Sequence, residues 1–142
     1  MSETKKRLGV HGLIQNSEGL YLVMKRSELD EDEGNCWDPV GGGIEEGESV
    51  ENGFRREVFE EAGIEVSEIK VLLAYTLEDK GLQLIVTAQA ETEEVVISSE
   101  HNDFKWISYD EMLGLHPVSV HFKAVQFMLK NDIEVARYSD YK

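Results

Sequence analysis

Gly42-Gly43-Ile44-Glu45-Glu46-Gly47-Glu48-Ser49-Val50-Glu51-Asn52-Gly53-Phe54-Arg55-Arg56-Glu57-Val58-Phe59-Glu60-Glu61-Ala62-Gly63-Ile64 is the stretch that decides the fold. Its second half carries a helical period. Val50, Phe54, Val58 and Ala62 recur every fourth residue and make one apolar stripe. Ser49 is placed to cap the N-terminus, and Gly63 sits where a left-handed glycine closes a helix. The spacing predicts a helix from about Ser49 to Ala62. On its wheel Glu57, Glu60 and Glu61 fall at the margin of the stripe, with Gly53, and not on the opposite face. Like charges three and four residues apart repel by a few tenths of a kcal/mol per pair in water, and by more when partly buried. The cluster also lies towards the C-terminal half, where the helix dipole disfavours anions. A solvated acidic face would account for the glutamates in so acidic a chain. A hard divalent cation, Mg²⁺ or Mn²⁺, would relieve the repulsion, because carboxylate oxygens are its preferred ligands.

The segment around the glutamates decides between these readings. Gly42, five residues, Glu48, seven residues, then Arg56-Glu57-Val58-Phe59-Glu60-Glu61-Ala62-Gly63-Ile64 resembles the Nudix box, G-x5-E-x7-R-E-U-x-E-E-x-G-U, where U is a bulky aliphatic residue. All nine specified positions are satisfied, within 23 of the 142 residues. Weaker likenesses extend over most of the chain: Met24-Lys25-Arg26 at the end of a hairpin, Trp37-Asp38 before the paired glycines, and Glu100 ahead of Trp106-Ile107. One departure is visible. Many members of the family have proline directly before the paired glycines, whereas here Val40 holds that place and Pro39 stands one residue early.

The resemblance implies roles. Glu57, Glu60 and Glu61 are similar to the metal-binding and catalytic carboxylates, with Glu57 binding the metal or, in some members, activating water. The backbone carbonyl of Gly41 is similar to the loop oxygen that completes the metal shell. Glu48 and Arg56 resemble an internal ion pair that ties loop to helix, and Gly42 and Gly63 complete the structural part of the box. Glu100 resembles the extra glutamate that several members bring from a loop as metal ligand or base; an exposed acidic residue is the competing reading. Arg26 resembles a contact to substrate phosphates, set against an ordinary ion-pair partner. Trp37 either lines the site or is a core tryptophan. His11, His101, His116 and His121 show no metal spacing and read as structural.

Elsewhere the chain alternates strand and turn signals. Leu8–Ile14 and Leu20–Lys25 flank Asn16-Ser17-Glu18-Gly19 and read as a hairpin; Ile69–Leu77 and Leu82–Ala90 flank Asp79-Lys80-Gly81 and read as another. Val95–Ile97 and Phe104–Ile107 are expected as short strands. Ser108 and Glu111 have capping-box spacing before a short helix, and Pro117 precedes a last helix at about Val120–Lys130. Glu28–Asn35 reads as a solvated acidic loop and the tail Asp132–Lys142 as loosely held. The order predicts a single α+β domain over residues 1–142, an α/β/α sandwich with a mixed β-sheet flanked by helices.

Composition bounds the function. A net charge of −15 disfavours nucleic acid and anionic membrane surfaces as partners. A polyanionic substrate would need a cation or a local basic patch. Cys36 is the only cysteine, which suits a reducing cytosol, and neither a signal peptide nor the ~20 apolar residues of a membrane span is expected. The default expectation is a soluble cytoplasmic protein. The family likeness then implies metal-dependent hydrolysis of a diphosphate bond, with a (deoxy)nucleoside triphosphate, cut to monophosphate and pyrophosphate, as the first substrate class. The absence of proline in residues 65–100 counts against the ADP-ribose class. Nucleotide sugars or dinucleotides remain alternatives, as does a non-catalytic nucleotide-sensing domain, and family members of this size are often homodimers.

Overall fold

The computed structural model describes residues 8–131; the tail expected to be loosely held lies outside them. The strands are β1 Leu8–Gln15, β2 Tyr21–Arg26, β3 Trp37–Asp38, β4 Val40–Ile44, β5 Val66–Leu77, β6 Gly81–Ala90 and β7 His101–Ile107. The helices are α1 Val50–Ala62, α2 Tyr109–Gly114 and α3 Val120–Asn131. The sheet is mixed: β1 and β6 pair in parallel and every other strand pair is antiparallel.

Alternation along the strands sorts the core into two layers. Val10, Ile14, Leu22, Met24, Val86 and Ala88 face α1 and meet Phe54, Val58 and Ala62 there. Leu13, Val23, Tyr75 and Ile85 face the other side and pack with Phe122, Val125 and Met128 of α3 and Met112 of α2. The result is the expected α/β/α arrangement. Each large side chain buried this way contributes roughly 1.5–3 kcal/mol.

One feature of the sheet creates the site. The first half of β1 pairs with β4 over Leu8–Gly12, while β1 meets β2 only at Gln15↔Tyr21. The sheet therefore forks, with β4 on one arm and β2, β3 and β7 on the other.

Two expectations are corrected. Val95–Ile97 is not a strand. Its Val96 N–H donates to the Ala62 carbonyl at 2.9 Å and Ser98 N–H to that of Glu61 at 3.1 Å. The segment thus satisfies the carbonyls left open at the C-terminus of α1 instead of joining the sheet. Gly41-Gly42-Gly43 belongs to strand β4, not to a loop. Three glycines carry little strand preference of their own; register with His11, Val10 and Gly9 of β1 imposes the extended form. The Ser108–Glu111 capping box forms in both directions, with Glu111 N–H to Ser108 Oγ at 3.1 Å and Ser108 N–H to Glu111 Oε1 at 3.2 Å.

Candidate active site

Helix α1 is held at both ends. The Ser49 side chain accepts from Asn52 N–H at 3.1 Å, and Gly63, at φ 69°, turns its N–H back to Phe59 O at 3.0 Å. With Phe54, Val58 and Ala62 fully buried, the helix cannot rotate, so the margin of its stripe is fixed against β4. Glu57 and Glu61 lie on that margin and line a cavity of about 710 Å³ in the fork of the sheet. Gly41, Gly42, Gly43 and Glu100 share its wall.

Close approach, of backbone at Gly41 and of a side chain at Gly42, explains two of the glycines. A Cβ on Gly41 would stand 1.9 Å from the carbonyl oxygen of Val10, and one on Gly42 would stand 2.5 Å from the Glu57 carboxylate. Any side chain at Gly42 would fill the space that the carboxylate occupies. The Gly41 N–H donates to Glu61 Oε2 at 3.1 Å.

Arg56 fastens this arrangement. It makes a two-pronged pair with Glu48, Nε to Oε2 at 2.8 Å and Nη2 to Oε1 at 3.0 Å. Nη2 also donates to Gly43 O at 2.9 Å, which ties β4 to α1. Nη1 reaches Glu57 at 3.1 Å and Glu60 at 3.2 Å. The Arg56 pairing holds the Glu48 carboxyl below its ordinary range.

The three box glutamates are not equivalent. Glu61 is buried, and that burial, reinforced by the Asp38 carboxylate, pushes its carboxyl up to about 9 against the pull of the Gly41 N–H. Burial also raises Glu57, with Arg56 opposing. Glu60 is exposed, bonds Arg56 and does not line the cavity. The wheel placed all three at one margin; a step of 100° per residue is enough to carry Glu60 past the edge and into solvent.

Asp38 was not singled out from the sequence. It is 3% exposed, accepts from Arg26 Nη1 at 3.2 Å and from the Ser119 hydroxyl, and adds negative field at Glu61. Arg26 lines the cavity but is shared between Asp30, at 2.6 Å, and Asp38. Trp37 does not line it. Its ring is buried in the α3-side core, with Lys105 Nζ 4.6 Å above it, so the site-lining reading gives way to the core reading. His11, His101 and His121 all line the cavity, although nothing in their sequence spacing brings them together.

The donors suit a hard cation: Glu57, Glu61 and Glu100 offer carboxylate oxygens beside a strand stripped of side chains. Among the described residues no three metal-binding side chains are already clustered closely enough to hold an ion.

Known proteins resemble this chain along most of its length. The NUDIX domain family matches residues 5–127. A nucleoside triphosphatase NudI from Salmonella schwarzengrund is 30% identical over 131 residues, 82% of this chain and 91% of that protein. Its namesake from Escherichia fergusonii is 29% identical over 126 residues, 76% of this chain and 86% of its own. The solved MutT protein of Methanosarcina mazei Go1 superposes with a TM-score of 0.71 at 26% identity, covering 93% of this chain and 98% of its own. A NUDIX hydrolase from Nitrosomonas europaea reaches a TM-score of 0.76 at 16% identity, covering 96% of this chain and 81% of its own, a likeness of fold alone. Among the described residues no helix is long and apolar enough to cross a membrane.

Proposed function

The chain belongs to the Nudix hydrolase family, and from that premise we propose that it hydrolyses (deoxy)nucleoside triphosphates to the monophosphate and pyrophosphate. The observation that carries this reading is the convergence of Glu57, Glu61 and Glu100 on one cavity walled by Gly41–Gly43. Such a wall admits a linear polyphosphate because no Cβ projects from the middle of it. The names of the relatives, nucleoside triphosphatases, support the substrate class.

Glu57, Glu61 and Glu100, with the Gly41 carbonyl, are the residues that would hold the divalent cation, Mg²⁺ or Mn²⁺. Glu60 would join them once released from Arg56. When bound, the ion would supply the positive charge that a chain of net charge −15 does not, and would acidify a water molecule. One cavity glutamate would accept the proton of that water as it attacks phosphorus and the P–O bond of the bridge between the α- and β-phosphates breaks, releasing monophosphate and pyrophosphate. Arg56 holds Glu57 in place and keeps Glu48, β4 and α1 as one unit. Arg26, on the opposite arm of the fork, is placed to meet phosphate oxygens if it releases Asp30.

The test is an assay of the intact chain with Mg²⁺ and a panel of nucleoside triphosphates, dinucleoside polyphosphates and nucleotide sugars, with products separated chromatographically. Monophosphate plus pyrophosphate from a triphosphate is expected. Diphosphate plus orthophosphate, or turnover only of a sugar or dinucleoside compound, would overturn the substrate class. No turnover of any compound would overturn the activity.

A further inference from the structure

The cavity is also lined by side chains that the hydrolytic chemistry does not use. Leu8 and Gly9 of β1, His11, Lys80, Gln83 of β6 and His121 of α3 line it. His11, Gln83 and His121 are 6%, 4% and 3% exposed, so this is an interior wall and not a surface patch. His11 and His121 stack with ring centroids 3.9 Å apart and planes 19° apart. Burial lowers both imidazoles to about 3, so both are neutral at physiological pH.

The hydrogen bonding at this wall is unfinished. His11 Nδ1 is buried without a partner. His121 Nδ1 is engaged by the Tyr75 hydroxyl. A phenol O–H is the stronger donor of that pair and an imidazole nitrogen the stronger acceptor, so Tyr75 donates. That bond fixes the tautomer and places the remaining proton on His121 Nε2. Gln83 donates its Nε2 to Lys80 O at 3.0 Å, and its Oε1 remains available as an acceptor. Gly9 makes room for this amide: a Cβ there would stand 2.1 Å from Gln83 Oε1. The wall thus offers one fixed N–H donor, one amide acceptor and an imidazole whose tautomer is free to adapt. A buried polar atom such as His11 Nδ1 is normally satisfied, so its lack of a partner among the described residues, beside two further polar side chains on a cavity wall, points to a ligand.

The ligand is uncharged where it meets this wall. His11, His121 and Gln83 present neutral groups, and of the two cations that line the cavity Lys80 is exposed and Arg26 is paired with Asp30 and Asp38. Neutral rings and an amide do not compensate a phosphate, but they do match the donor and acceptor edge of a heterocycle.

We infer that His11, His121 and Gln83 form the site that reads the substrate's nucleobase, with His121 Nε2–H donating, Gln83 Oε1 accepting, and Tyr75 acting as a positioning residue for His121. This rests on the nucleotide reading above and names the residues that set its base selectivity.

Two measurements test it. In the first, the intact chain with ¹³C-labelled histidine, in EDTA, is titrated with each nucleoside 5′-monophosphate and with ribose 5-phosphate, following the imidazole Hε1 signals. His11 and His121 should shift with at least one monophosphate and stay put with ribose 5-phosphate. No shift with any monophosphate, or an equal shift with the sugar phosphate, overturns the base site even if the enzyme is active. In the second, His121→Phe and Gln83→Leu are compared with the unsubstituted chain on four triphosphates and on inorganic tripolyphosphate, which has no base. Each should raise KM for the preferred triphosphate about tenfold, the worth of one or two hydrogen bonds. Both should leave kcat and the tripolyphosphate KM unchanged and flatten the preference among bases. Tyr75→Phe should give a smaller shift in the same direction, and His121→Asn, which keeps a donor, should recover part of the loss. Equal effects on tripolyphosphate, or an unaltered base preference, would make these residues merely structural. If the unsubstituted chain binds monophosphates but cleaves no triphosphate, the proposed activity fails and the base site stands.

Discussion

On the lining of the cavity Glu61 is buried close to the negative charges of Asp38, Glu57 and Glu100, and its carboxyl is pushed up to about 9. Elsewhere on its lining His11 and His121 are buried against each other and held near 3. Burial is the first cause in all three cases, and it favours the neutral form each time. The neighbours differ. Around Glu61 they are acids that increase the cost of ionising it, and the Gly41 N–H offsets that cost only in part. Around the histidines they are each other's rings, the Tyr75 hydroxyl and the positive charges of Arg26 and Lys80, which add to the cost of protonating them, with Asp38 opposing at His121. The acidic cluster is electrostatically incomplete without added positive charge. Beside the histidines one buried nitrogen, His11 Nδ1, has no hydrogen-bond partner among the described residues. A ligand with a polyanionic, metal-associated part joined to a neutral heterocycle answers both.

The largest expected effect would break the acidic half of that comparison. Glu61→Gln and Glu57→Gln should each lower kcat by about 10²–10⁴, in the range of a lost catalytic proton acceptor or charge contact. Neither should lower the thermal midpoint, because each removes a carboxyl that burial already penalises. Full turnover in either variant would remove that residue from the mechanism. Chelation by EDTA should abolish turnover in the unsubstituted chain, and Mg²⁺ should restore it.

Gly41 and Gly42 sharpen the same half. Alanine at Gly41 meets the backbone of Val10, which cannot yield, and should cost about 1–3 kcal/mol or more of stability in a denaturant titration. Alanine at Gly42 meets only the movable end of Glu57, so it should leave the midpoint nearly unchanged and reduce activity. If both variants lost stability equally, the Gly42 gap would be a matter of packing and not of the Glu57 carboxylate.

Glu60→Gln should cost about tenfold in kcat, between the buried glutamates and an ordinary surface pair, since its carboxylate is exposed and must leave Arg56 to serve an ion. A loss as deep as that of Glu61→Gln would put Glu60 in the site on equal terms.

The smallest effects are pH slopes, of opposite sign for the two groups. His11 and His121 have folded values near 3 against 6.5 unfolded, so the stability they contribute is present above pH 6.5 and is lost as pH falls towards 3. Glu61 has a folded value near 9 against 4.5 unfolded, so in EDTA stability is full below pH 4.5 and declines as pH rises towards 9. His121→Phe should flatten the acid limb of a stability profile and Glu61→Gln the alkaline limb. Slopes that survive both substitutions would assign the pH dependence to other groups.

The acidic half was legible because it is local. Helix period, the Ser49 cap, the Gly63 stop and the spacing from Gly42 to Ile64 all lie within 23 residues, and a helix converts such spacing directly into a shared face. The Glu48–Arg56 pair was legible for the same reason. The exposure of Glu60 was missed because a wheel gives direction around an axis and not where the neighbouring strand ends. Strand β4 was missed because three glycines carry no strand preference, and Val95–Ile97 was read as a strand because its role is to satisfy the end of a helix more than thirty residues earlier in the chain.

The sequence by itself determined the α/β/α class, the helix that carries the glutamates and the family. Each of these rests on periodicity or on a contiguous motif. Only the tertiary structure decided that Trp37 is core, that Asp38 lies close enough to bias Glu61, and that β1, β5, β6 and α3 bring His11, Tyr75, Gln83 and His121 to one place. Tyr75 and Gln83 face each other across the β5–β6 hairpin, but His11 and His121 are tens of positions from them and from each other, and a parallel β1–β6 pairing with a separate helix leaves no spacing rule by which to find those two. Their proximity follows from strand order and register, which depend on the packing of the whole domain.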